Sequence, residues 1–127
     1  MIHVQETVGP IESVVERIER AAVANQFGVL GVHDLKQKMG AKGVDFACEC
    51  RVMEVCNPAK AKEVLEGNMS ISTVLPCRIS IYEEDDAVKV ATLRPTMLLN
   101  LFDSPELQSV AREVEDTLVR IIDTACA

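Results

Sequence analysis

The feature that most constrains this chain lies at its C-terminal end. Leu107, Val110, Ala111, Val114, Leu118, Ile121, Ile122 and Ala125 recur at three- and four-residue spacing, with Glu113, Glu115, Asp116, Arg120 and Asp123 between them. In an α-helix this spacing forms one apolar stripe about five turns long, with the charges on the opposite side. Ser104-Pro105 supplies a start signal, an N-cap hydroxyl followed by a residue suited to the first turn. A stripe of that length must lie against something large, and an antiparallel sheet is the simplest partner.

The rest of the chain supplies such a sheet. Residues 2–8 alternate loosely, with Ile2, Val4 and Val8 set against His3, Gln5 and Glu6. After Gly9-Pro10, Ile11, Val14, Val15, Ile18 and Ala22 take helical spacing as far as Asn25. Phe27 to Val32 is short and apolar and predicts a buried strand, after which Asp34 caps a brief helix stopped by Gly40 or Gly43. From Phe46 to Cys56 the apolar set shifts from Phe46, Cys48, Cys50 and Val52 to Met53 and Val55; a bulge near Val52 and a strand end buried on both sides are equally compatible with this. Asn57-Pro58 is a cap and first-turn pair that predicts a helix over 58–66. Cys77, Ile79 and Ile81 then alternate with Arg78, Ser80 and Tyr82, and Glu84-Asp85-Asp86 turns the chain into Val88 and Val90, which makes a hairpin. Pro95 opens a short helical stretch before the final helix. The order β-α-β-α-β-α-β-β-α-α, with no repeat or linker over 1–127, predicts a single α+β domain: a two-layer sandwich of a mainly antiparallel sheet with helices on one face.

Composition narrows the function classes. The chain is 48% hydrophobic and 26% charged, a globular balance. Its net charge is −7, and its Lys and Arg are scattered, so it has no basic footprint for nucleic acid. Three Phe, one Tyr and no Trp leave little for base stacking. The N-terminus lacks the pattern of a secretion signal, and no apolar run is long enough to cross a bilayer, so a cytoplasmic protein without membrane attachment is expected. The five cysteines are then expected to be reduced.

Those thiols are the main chemical candidates. Cys56 precedes the Asn57-Pro58 helix start, where free amides and the helix dipole favour a thiolate. The competing reading is a small buried apolar residue at a strand end. Cys77 begins a strand, and its neighbour Arg78 points to the opposite face, so Arg78 does little to activate it. Whether Cys56 and Cys77 meet depends on topology. Antiparallel neighbours would bring them together, whereas a parallel crossover through the helix over 58–66 would separate them by roughly 20–30 Å. Cys48 and Cys50 have the wrong spacing for a structural zinc motif and are read as a core-facing strand pair, and no metal site is expected. His33 could act as base or ligand, but the blander reading leaves it partly exposed beside the Asp34 cap. The acidic runs 83–86 and 113–116 are read as a hairpin tip and a solvated helix face.

Together Phe27-Gly28-Val29-Leu30, Val55-Cys56-Asn57-Pro58 with Ala61 and Leu65, and Leu75-Pro76-Cys77-Arg78-Ile79-Ser80-Ile81-Tyr82 resemble the domain of unknown function 302 family over nearly the whole chain. His33-Asp34-Leu35-Lys36 and Lys42-Gly43 look like its bacterial and archaeal branch. The resemblance implies a small α+β fold of the TATA-binding-protein-like or helix-grip class, a homodimer and no established activity. It singles out Cys56 and Cys77 among the thiols. Three functions follow for test: a binding or sensing module with Cys56, Asn57 and Cys77 projecting into a cleft and His33 as a further candidate; a thiol redox enzyme or carrier using Cys56 and Cys77; and an interaction scaffold with structural cysteines. The ligand's identity and any cofactor are unknown at this level.

Overall fold

A computed structural model describes residues 1–127. Five strands, β1 (Ile2–Thr7), β2 (Gly28–Asp34), β3 (Cys50–Cys56), β4 (Cys77–Glu84) and β5 (Ala87–Leu93), form one sheet in the order β1-β5-β4-β3-β2. Every neighbouring pair is antiparallel. The helices are α1 (Ile11–Ala24), α2 (Leu35–Ala41), α3 (Pro58–Gly67), α4 (Pro95–Leu99) and α5 (Gln108–Cys126), with 3-10 turns at Met69–Val74 and Pro105–Leu107. The fold is α+β, and its topology excludes the parallel crossover. After β3 the chain makes α3 and the 69–74 turn beyond the end of the sheet, then returns at the same end to start β4.

The expected α5 stripe is buried: Leu118, Ile121 and Ile122 are fully covered. With α1 they cover one sheet face, closing a core that includes Ile18, Met53, Val55, Ile79, Ile81 and Val90. Full burial of such side chains stabilises by about 1.5–3 kcal/mol each. Polar ties fix the layers. Arg17 Nε donates to the carbonyl of Ala125 at 2.9 Å and its Nη2 to Thr7 Oγ1 at 3.2 Å. His3 Nε2 lies 2.7 Å from Asp123 Oδ1, and Gln5 Nε2 donates to the same oxygen at 3.0 Å. On β1, therefore, His3 and Gln5 face α5, while Ile2 and Val4 stand on the uncovered face.

A second, smaller cluster (Val64, Ile71, Leu99, Leu107, Val110, Ala111) joins α3, the 69–74 turn, α4 and the start of α5. Gly67, the last residue of α3, belongs to this packing, because a Cβ there would come within 3.0 Å of Leu107. Glu115, expected on the wet side of α5, is buried at 6% exposure. It accepts from Thr96 N at 3.1 Å and Thr96 Oγ1 at 2.6 Å, so it caps α4 from outside that helix. Ser104 does not cap α5; its hydroxyl accepts from Asn68 Nδ2 at 2.9 Å, and a 3-10 turn precedes the helix.

Two local turns follow from backbone chemistry. Asp85 and Asp86 both adopt positive φ (54° and 61°), as a two-residue hairpin loop requires. At the end of α1, Gln26 has φ 62°, Phe27 N donates to the carbonyl of Ala22 at 2.9 Å and Gln26 N to that of Val23 at 3.2 Å. This is a Schellman ending with Gln in the place Gly usually takes and the buried Phe27 as its hydrophobic anchor.

Three strand expectations change. β3 starts at Cys50, and Phe46 and Cys48 lie outside it and are exposed. Within β3 the apolar residues lie on both faces: Met53 and Val55 face the core, while Cys50 and Val52 face the open side. The register shift lies instead in β2, between Val29 and Gly31. β2 is also an edge strand, with Leu30 64% exposed, not a buried one.

Candidate functional site

Cross-strand partners in an antiparallel ladder share a face, so the register assigns every strand side chain. Val55 pairs with Cys77, Glu54 with Arg78, Val52 with Ser80 and Cys50 with Tyr82. Cys77 therefore points with Val55 and Ile79 into the α1/α5 core, against which it packs. Cys56, one residue beyond Val55, points to the open face with Arg78, Ser80 and Tyr82. Ala91, Leu93, Ile2 and Val4 extend the same face across β5 and β1. No helix covers the middle of this face, and Ile2, Val4 and Leu93 are exposed.

Where the open face meets the second cluster there is a cleft of about 560 Å³. Its floor is the sheet face (Val52, Ala91, Leu93), its far wall the helical cluster (Val64, Ile71, Leu99), and its inner end reaches Val55 and Cys77 between the two cores. Of 26 lining residues, 19 are hydrophobic. Asn57 starts the wall: its side-chain oxygen accepts from Lys60 N at 3.2 Å, the expected cap of α3. The Lys60 stem lines the cleft, and its ammonium is hydrogen-bonded to Glu113 on α5.

Cys56, Asn57 and Cys77 thus all border one cleft, and His33 does not. His33 sits near the β2 edge, with Nε2 2.7 Å from Glu54 Oε1 and Nδ1 2.7 Å from Lys38 Nζ. An ammonium donor at Nδ1 places the ring proton on Nε2, facing the carboxylate. That hydrogen bond, outweighing the cost of burial, holds the Glu54 carboxyl below its ordinary range. Asp34 caps α2 through Gln37 N at 3.0 Å. Sequence reasoning did not anticipate Tyr82 or Ser80 as lining residues. Their polarity gives no sign of a cleft, and only the β4–β5 register reveals it.

The two thiols are neighbours in the ladder but on opposite faces, so their Cβ atoms diverge, and bridging them would require backbone movement. Burial, and secondarily the neighbouring Cys56, pushes the Cys77 thiol up to about 11. Cys77 is therefore a protonated, unreactive thiol near neutral pH. Cys48 is exposed and Cys50 half-buried on the open face, so they are not the core-facing pair expected. No group of three or more His, Cys, Asp or Glu is arranged to hold a metal ion. No helix is long and apolar enough to cross a membrane.

An antiparallel two-layer α+β domain with an apolar cleft between two cores is the class of protein these features define. The chain belongs to the family described as Domain of unknown function DUF302, whose profile matches residues 3–125. It is similar in structure to an uncharacterized conserved DUF302 protein from Bacillus stearothermophilus, with a TM-score of 0.93 and 30% sequence identity, covering 99% of this chain and 98% of that one. No curated protein matches the chain. The family carries no specific function.

Proposed function

We propose that this domain is a binding or sensing module that holds a small apolar molecule in the cleft between its two cores. The observation that carries the reading is the cleft itself, about 560 Å³ and lined mostly by hydrophobic residues. That volume falls within the 300–1,000 Å³ typical of small-molecule sites, and a mainly apolar lining with a few polar groups is their usual chemistry. A scaffold with purely structural cysteines has no need of such a cleft. A thiol redox mechanism is disfavoured by the Cys77 thiol, pushed up to about 11, and by the divergent faces of Cys56 and Cys77.

The test uses N-phenyl-1-naphthylamine, a neutral probe that fluoresces in apolar surroundings. The protein is expected to bind it saturably at one site. Ala61→Phe, which fills the cleft from α3, should abolish the signal while far-ultraviolet circular dichroism and cooperative unfolding stay unchanged. No binding to the parent protein, or equal binding to a folded Ala61→Phe variant, would refute the assignment.

A further inference from the structure

We infer that the ligand of this cleft is an anionic amphiphile, an apolar chain or ring system ending in a carboxylate or similar acid, with Arg78 as its headgroup contact. The inference rests on the binding reading above and adds the sign and place of the charge. The chain has 20 Asp and Glu against 13 Lys and Arg, yet no Asp, Glu or His lines the cleft. Its only Lys and Arg are Lys60 and Arg78. In so acidic a protein, a lining without carboxylates is a local departure that would attract a cationic ligand less, and an anionic one more, than the surface around it.

The two cations are not equivalent. Lys60 is already committed: its ammonium is hydrogen-bonded to Glu113 and lies 3.9 Å from Glu63. Arg78 is loosely held. Its side chain is 59% exposed, and its one ion pair, to Glu54, is 3.9 Å long because that carboxylate is drawn to His33 at 2.7 Å. Arg78 stands on the open face beside Ser80 and on the same side as Cys56, at the end of the cleft where β4 begins. A guanidinium there can donate two parallel hydrogen bonds to a carboxylate while the apolar body of the ligand lies along Val52, Ala91 and Leu93. The first turn of α3 borders the same end, and its dipole adds potential of the same sign.

The experiment is isothermal titration calorimetry with two probes of equal chain length, decanoate and 1-decanol, at low ionic strength. Decanoate is expected to bind about tenfold more tightly, the effect of one charge-assisted contact. Arg78→Gln should remove that preference and leave 1-decanol binding unchanged, whereas Lys60→Gln should retain it. Equal affinity for both probes overturns the anionic assignment while leaving the binding reading intact. A preference that survives Arg78→Gln overturns the role of Arg78. Binding of neither probe overturns the binding reading as well.

Discussion

Truncating Leu118 to Ala tests the packing that supports both layers and the inner wall of the cleft. Leu118 is fully buried at the centre of α5, within the core shared with α1 and the sheet. Leu118→Ala removes about three methylene equivalents, worth ~0.8 kcal/mol each in transfer free energy, or roughly 2.4 kcal/mol together. The cavity term raises the expected loss to about 3–4 kcal/mol, since neighbours on two sheet strands and a second helix cannot all collapse into the space. Against a total stability of about 5–15 kcal/mol this is a large fraction. Urea unfolding should be followed by far-ultraviolet circular dichroism, because the chain has no Trp and a single Tyr. The midpoint should fall with the slope unchanged. Leu101→Ala, at a residue 75% exposed, is the control and should stay within about 0.5 kcal/mol. A loss below about 1 kcal/mol for Leu118→Ala would show that α5 does not bury its stripe as described.

Three further outcomes are expected. Burial raises the Glu115 carboxyl, but the hydrogen bonds from Thr96 and the charges of Arg94 and Arg112 outweigh it, so its folded-state value lies below the ordinary 4.5. The ionised form therefore adds stability at and above about pH 4.5, and this is lost as the pH falls through the depressed value; urea midpoints measured across that range should show the dependence, and Glu115→Gln should flatten it. Timed alkylation at about pH 8 with mass mapping should label exposed Cys48 early and Cys77 last, because a thiol at about 11 is only about one part in a thousand thiolate there; early Cys77 labelling would contradict its burial. Gln26→Gly should stabilise the protein by about 1 kcal/mol in the same urea assay, since Gln26 holds a left-handed conformation in which a Cβ is costly and a loss of stability would contradict that backbone geometry.

Much of this architecture is legible in the residues. The α5 stripe, the Asn57 and Asp34 caps and the β4–β5 hairpin are each set by local chemistry: side-chain periodicity, a capping oxygen and an acidic turn. What local chemistry does not specify is where an element goes. A helix between two strands usually means a parallel crossover, but α3 continues into the 69–74 turn and brings the chain back to the end it left, which leaves β3 and β4 antiparallel. Whether Ile2 and Val4 or His3 and Gln5 face inward is decided by Asp123 on α5, 118 or more residues away in sequence, and not by hydrophobicity. Glu115 reads as a wet-face residue because its partner, Thr96, belongs to a different helix. The candidate site divides in the same way. Cys56, Asn57 and Cys77 stand out as motif residues next to a helix start, whereas Ser80, Tyr82 and Arg78 become part of a cleft only through strand register.

Whether the cleft is a ligand site can be read from native mass spectrometry of the protein purified from its own host. A fraction of molecules should carry a non-covalent added mass that is released on denaturation, partitions into organic solvent and ionises in negative mode. The Ala61→Phe variant, expressed and purified in the same way, should carry none. Equal added mass on both proteins, or only the bare chain mass from preparations whose cleft also fails to take up N-phenyl-1-naphthylamine, would contradict the ligand-site reading.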